Sequence, residues 1–265
     1  MTVWVWNAQE CRFEEPSKDV STWTLLAADS WLVVDGRVRA FERHQARFAD
    51  AAGQVDVGDL VTAEFWASVV EKIPKTGEWF PRVDVLEPAP GGDRILAFRL
   101  RPAPHQTGEL RVLIPPYSDP RSTPGRKGPD IALLEELRTQ AREEHDCGEV
   151  LLLSEDGYVI EGATTSLLWW DGETMCVPHN DLVQLSGVTA ALIQAEARNR
   201  SIDIERRHAR PEDFSGREVW LVNAMHGIRR IRASSGQFVS DFGSELEHFS
   251  EWRLWLAGQT EPLLS

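Results

Sequence analysis

Lysine is scarce in this chain. Four lysines (Lys18, Lys72, Lys75 and Lys127) stand against 24 arginines, the remainder of the 28 basic residues. Cysteine is equally thin: Cys11, Cys147 and Cys176 are an odd number, widely spaced, with no Cys-x-x-Cys. That argues against a disulfide framework and against a zinc site, and fits reduced thiols in a cytoplasm; no metal ligands are assigned. No apolar run approaches the ~20 residues of a membrane-spanning helix. The start, Met1-Thr2-Val3-Trp4, lacks a basic region leading into an apolar one, so no signal peptide is expected. Positive charge is also lacking overall. A net charge of −14 argues against nucleic acid and anionic membrane as partners, because phosphate-rich surfaces need clustered cations. A small anionic ligand held by a few local arginines stays compatible with it.

What is present is ordinary for a soluble globular chain: 42% hydrophobic and 26% charged residues. A length of 265 residues fits one large or two modest domains. Eleven tryptophans are many, and suit core and subunit-interface packing, with an aromatic pocket as a lesser use.

The pattern along the chain is mixed α and β. Residues 1–37 read as short strands with turns. Val38 to Ala52 reads as a helix with Phe41, Ala46 and Phe48 inward, and Arg39, Arg43 and Arg47 at four-residue spacing. Val61 to Lys72 reads as a second helix with Phe65, Val69 and Val70 inward. Strands follow over 80–85, 95–100 and 110–114. The proline-rich stretch from Pro115 to Gly125 is the best linker, and Pro129 suits the first turn of a helix whose apolar positions are Ile131, Leu133, Leu134, Leu137 and Ala141. A β meander is expected over 150–177, with Asp171-Gly172 as a hairpin turn. Gly187 opens another helix, 218–222 is a strand, and Leu246 to Leu256 a closing helix.

Four places could carry chemistry. Lys127 is the only lysine in the last 190 residues and lies between Pro124-Gly125-Arg126 and Gly128-Pro129-Asp130. Where arginine serves nearly every cationic need, a retained lysine points to a use that arginine cannot meet, since only lysine can become a neutral nucleophilic amine. Glu161 ends a strand before Gly162-Ala163-Thr164-Thr165-Ser166, whose small residues let a flat ligand approach. Gly187-Val188-Thr189 joins a glycine, backbone amides and a hydroxyl at a helix start, a combination that suits phosphate. Asn223-Ala224 follows a strand, where a polar residue often faces a ligand crevice. Singly, each is an ordinary loop group, strand end, cap or turn.

Together, and with Arg47 in an early helix, these residues resemble in chain order the class IV pyridoxal-phosphate enzymes. That family contains branched-chain aminotransferase, D-amino-acid aminotransferase and 4-amino-4-deoxychorismate lyase. The resemblance covers roughly 38–231. It implies a two-domain α/β fold: a smaller domain over 1–120, a linker over 121–125, and a larger cofactor-binding domain over 126–265, with pyridoxal 5'-phosphate between them. It implies that Lys127 is the Schiff-base lysine, that Glu161 pairs with the pyridine nitrogen, and that Arg47, the Val188 N–H and Thr189 hold the phosphate. Asn223 and Ala224 would add phosphate or substrate contacts. It also implies a cytoplasmic homodimer acting on an amino-acid or amino-chorismate substrate, as aminotransferase or lyase. A cofactor-free binding protein on the same scaffold is the alternative.

The family's usual tyrosine after the lysine is missing from Gly128-Pro129-Asp130-Ile131-Ala132, Ser166 stands where an asparagine is usual, and the stretch before the Arg47 helix is abbreviated. Arg82, Arg99 and Arg101 are candidates for a substrate carboxylate, with Arg99 and Arg101 on one strand face.

Overall fold

Thr2–Asn7 (β1), Arg12–Glu14 (β2), Thr24–Ser30 (β3), Arg82–Glu87 (β7) and Ile95–Leu100 (β8) form a five-stranded antiparallel sheet in the order β2-β1-β8-β7-β3. The computed structural model describes residues 2–236 and 247–263 of the chain. Between β3 and β7 lie Val33–Val34 (β4), Arg37–Val38 (β5), Phe41–Gly53 (α1), Ala63–Glu71 (α2) and Glu78–Trp79 (β6). The β4–β5 hairpin turns at Asp35-Gly36, with φ of 46° and 69°; an aspartate-glycine pair tolerates such positive values where bulkier residues do not. Thr62 caps α2 by accepting from the Phe65 amide at 3.3 Å.

Phe48, Phe65 and Phe98 are fully buried with Trp31 between the two helices and one face of the sheet. On α1 the buried positions are Phe41, His44, Phe48, Ala51 and Ala52. The expected inward Ala46 is exposed, and the imidazole of His44 occupies the inner face instead. A polar ring is tolerated there because β3 supplies it with a carboxylate, described below.

The second set of elements comprises Glu109–Ile114 (β9), Ile131–His145 (α3), Glu149–Leu153 (β10), Val159–Gly162 (β11), Ser166–Asp171 (β12), Thr174–Pro178 (β13), Val188–Asn199 (α4), Ile204–Arg207 (β14), Val219–Asn223 (β15), Gly227–Gly236 (β16) and Phe249–Gly258 (α5). Its eight strands run β11-β10-β9-β16-β15-β12-β13-β14 in a mixed sheet, with β9 parallel to both neighbours. The four strands expected as a meander are present as β10 to β13, but they form two hairpins, β10–β11 and β12–β13, kept apart in the sheet by β9, β16 and β15. The ten-residue β16 was not foreseen, and Leu246 of the expected closing helix lies outside the described residues.

The chain divides into two compact units. One comprises Met1–His105, Arg126–Pro129 and Gln259–Ser265; the other comprises Gln106–Gly125 and Asp130–Gly258. The division differs from the expected boundary near 120. The physical reason is that β9 is hydrogen-bonded inside the eight-stranded sheet, so residues from 106 onward belong to the second unit. Glu261–Pro262 (β17) returns to the first unit and pairs with β5 in a small sheet ordered β17-β5-β4-β6. Of the eleven tryptophans, Trp6, Trp31, Trp66, Trp169, Trp170, Trp220 and Trp252 are buried and four are half-buried, so core packing accounts for most of them. No helix among the described residues is long and apolar enough to cross a membrane.

The four-residue excursion carrying Lys127 is clipped at its base. Asp130 accepts from the Ser122 and Thr123 amides, both at 2.9 Å, and from Ser122 Oγ at 2.8 Å. Pro129 precedes Asp130, so it stands just before α3 rather than within its first turn. Within the first unit the Ala28 N–H donates to the Lys127 carbonyl at 2.7 Å. Gly128 has φ of +144°, and a Cβ there would lie 2.7 Å from Ala27 Cα. Only glycine lets the segment lie this close to β3. Gly128→Ala is therefore expected to destabilise the protein by about 1–3 kcal/mol, seen as a lowered denaturant midpoint in chemical unfolding.

Candidate active site

Lys127 meets an unusual electrostatic setting inside the first unit. Desolvation acts most strongly, and the positive charges of Arg47, Arg82 and Arg101 act with it; Asp29 opposes them. The amine is held well below the usual lysine range, at about 8. A neutral amine is therefore available close to neutral pH, and that is the nucleophilic form.

Asp29 is fully buried on β3. Its Oδ2 accepts from Arg47 Nε at 2.6 Å, and its Oδ1 accepts from Arg47 Nη2 at 2.9 Å and from His44 Nδ1 at 2.7 Å. Burial works against the charged carboxylate, but Arg47 and His44 outweigh it and hold Asp29 ionised far below the ordinary range. Burial lowers His44 in turn, so it is neutral and donates its Nδ1–H to Asp29. Positions 44 and 47 are one helical turn apart on α1, which lets a single carboxylate take both.

The three candidate substrate arginines part company. Arg82 Nε lies 2.7 Å from Asp84 Oδ1, and Arg99 donates from Nε to Asp84 Oδ2. Arg101 donates to the Phe80 carbonyl at 2.8 Å and lies over the Phe80 ring. Arg82 and Arg101 contribute to the field at Lys127.

In the second unit, Glu161 is 3% exposed on β11. Its Oε1 accepts from Arg121 Nη1 at 2.7 Å and from the Leu185 N–H at 3.0 Å, while Oε2 accepts no hydrogen bond from the described residues. Burial raises its carboxyl to about 7, and Arg121 and the Leu185 amide oppose the rise. Arg121 counters it only partly because that guanidinium also donates three hydrogen bonds to Asp119, at 2.7–3.0 Å.

Gly187 is the N-cap of α4, and no side chain caps that helix end. Val188 and Thr189 are buried in its first turn. A Cβ on Gly187 would meet Ser166 Oγ, so Ser166 sits against the start of α4. Asn223 donates to the Thr164 carbonyl at 3.3 Å and accepts from the His226 N–H at 2.8 Å, closing the β15–β16 turn; Ala224 lies in that turn.

The first unit thus brings together Arg47, Arg82, Arg101 and Lys127. The second brings Asn223 to the run after Glu161 and Ser166 to the α4 start. Asp29, His44, Asp84, Asp119 and Arg121 were missed. An acidic residue in the apolar run Leu25-Leu26-Ala27-Ala28-Asp29 was the one available signal, since an unpaired carboxylate does not survive burial.

In the first unit a half-buried lysine lies in the field of three arginines, and in the second a buried carboxylate is paired with one arginine. The chain belongs to the amino-transferase class IV family, whose pattern matches residues 26–234. No curated protein matches it in sequence. Solved structures share the fold. A hypothetical aminotransferase from Mycobacterium tuberculosis, in its α-ketoglutarate- and PMP-bound form, is 18% identical with TM-score 0.79, covering 97% of this chain and 98% of that one. A branched-chain aminotransferase from Thermoproteus uzoniensis with norvaline is 15% identical with TM-score 0.78, covering 100% and 99%. A candidate 4-amino-4-deoxychorismate lyase from Legionella pneumophila is 14% identical with TM-score 0.72, covering 88% and 90%.

The Lys127 field has a direct consequence. In the cofactor-free protein, labelling of Lys127 by an amine-acylating reagent is expected to rise with pH around a midpoint of about 8, well below the ordinary 10.5. Peptide mass spectrometry across a pH series checks this, with Lys18, Lys72 and Lys75 as internal references. A Lys127 midpoint matching theirs would contradict the description of the field.

Proposed function

We propose that the protein is a pyridoxal-phosphate-dependent enzyme acting on an amino-acid or amino-chorismate substrate, as an aminotransferase or an aminodeoxychorismate lyase. The observation that carries this reading is the Lys127 amine, brought to about 8 by burial and three arginines. The residues fit the cofactor. Guanidiniums and the uncapped start of α4 suit its phosphate, the amine suits its aldehyde, and Glu161 keeps one carboxylate oxygen available for a ring N–H. When bound, the cofactor supplies an electron sink for the charge left at the substrate carbon after proton loss.

The chain's own groups do the rest. Lys127 would hold the cofactor through its amine, and as a neutral amine it would take the proton from the substrate carbon and return it. Ionised Glu161 keeps the ring nitrogen protonated, and its carboxyl at about 7 is matched to a partner that gives and takes charge near neutrality. Arg47, the Val188 N–H and Thr189 would hold the phosphate, and Asn223 and Ala224 would add phosphate or substrate contacts. Arg82 and Arg101 receive the substrate carboxylate, while Arg99 supports Arg82 through Asp84. A cytoplasmic homodimer completes the reading; sedimentation at working concentration tests the assembly, and a monomer would contradict that part.

Lys127→Arg keeps the positive charge and removes the usable amine. It is expected to give folded protein by circular dichroism that acquires no cofactor label after borohydride reduction, whereas wild type is labelled at Lys127 on peptide mapping. Wild-type labelling of another residue would overturn the assignment. Glu161→Gln is expected to keep cofactor binding and lower turnover by about 10²-fold or more. Turnover unchanged in that variant would remove Glu161 from the mechanism.

A further inference from the structure

We infer that Asp29 is a positioning residue that makes the site selective for a phosphorylated ligand, by fixing Arg47 side-on beside the backbone that carries Lys127. The inference rests on the reading of Arg47 as a phosphate contact and adds the residue that prepares it.

Three observations carry it. Asp29 engages one edge of the guanidinium through Nε and Nη2, at 2.6 and 2.9 Å, a two-point contact that sets both the position and the plane of the group. The adjacent residue of the same strand, Ala28, binds the Lys127 carbonyl at 2.7 Å, so two consecutive residues of β3 locate both the amine-bearing segment and the cation. His44 braces the other side of the carboxylate at 2.7 Å, and Asp29 is fully buried, so the carboxylate has little freedom to turn away. An arginine loses several rotatable bonds when it binds an anion; here that ordering is completed in the folded protein, and the ligand does not bear it. A side chain that only stabilised the fold would affect every ligand of the site alike. One that aims Arg47 affects chiefly ligands bearing the phosphate.

The test compares the affinity of cofactor-free protein for pyridoxal phosphate and for pyridoxal, read by fluorescence quenching or absorbance at fixed pH. The ratio of the two affinities isolates the phosphate. Arg47→Met is expected to lower that ratio about tenfold or more, and Asp29→Asn to lower it about tenfold with pyridoxal affinity near wild type. If Arg47→Met loses the ratio and Asp29→Asn keeps it, the inference fails while the phosphate reading stands. If Arg47→Met keeps the wild-type ratio, the phosphate reading itself fails. An equal loss of both affinities in Asp29→Asn assigns the residue a structural role and overturns the inference. Should Asp29→Asn fail to fold, Asp29→Glu retains the charge but moves the carboxylate by one methylene. Its ratio is expected to fall below wild type, and a wild-type ratio would overturn the inference.

Discussion

Burying a cationic amine among other cations is unfavourable, and the first unit depends on how that conflict is resolved. Desolvation and three guanidiniums push Lys127 toward its neutral form, and the buried carboxylate of Asp29 restrains the push. Asp29 holds Arg47 through two hydrogen bonds and counters its repulsion of Lys127. With it, the amine reaches the range where both protonation states are accessible near neutral pH. The close approach of Gly128 to Ala27 and the Ala28–Lys127 hydrogen bond hold the lysine segment in that field.

The second unit shows the opposite bias on an acid. Glu161 is raised by burial because Arg121 divides its charge between two carboxylates. A base pushed down and an acid pushed up converge on the same pH range. Such convergence suits proton transfer in both directions, because neither group is locked in one state. The two shifts also act on stability. For Lys127 the unfolded chain binds the extra proton, so stability rises with pH between about 8 and 10.5. For Glu161 the folded state binds the proton more tightly, so stability falls as pH rises from 4.5 to about 7. Both shifts are obtained at the expense of stability near neutral pH.

Much of this was legible in the sequence where period and scarcity spoke for themselves. The helices α1 to α4 and the strands β10 to β13 follow from apolar spacing, though not their order in the sheet, and Lys127 stands out because lysine is otherwise avoided. What was not legible depends on distant partners. Asp29 reads as a flaw in an apolar strand until His44 and Arg47 arrive beside it. For the same reason the period of α1 suggested Ala46 rather than His44 as an inner position. Arg99 and Arg101 share a strand face by alternation, but alternation does not show that Asp84 pairs with both Arg99 and Arg82 of the neighbouring strand. The boundary near residue 120 was misplaced because a proline-rich stretch looks like a linker. Its preceding strand, β9, reveals its allegiance only through parallel pairing with β10 and β16.

The central claim is that the Lys127 amine and the Glu161 carboxylate serve one pyridoxal ring. A crystal structure of the protein soaked with pyridoxal phosphate tests it most directly. Density continuous from Lys127 Nζ to the cofactor, with a Glu161 oxygen within hydrogen-bonding distance of the ring nitrogen, is the predicted result. A cofactor bound elsewhere, or joined to another residue, would contradict the account.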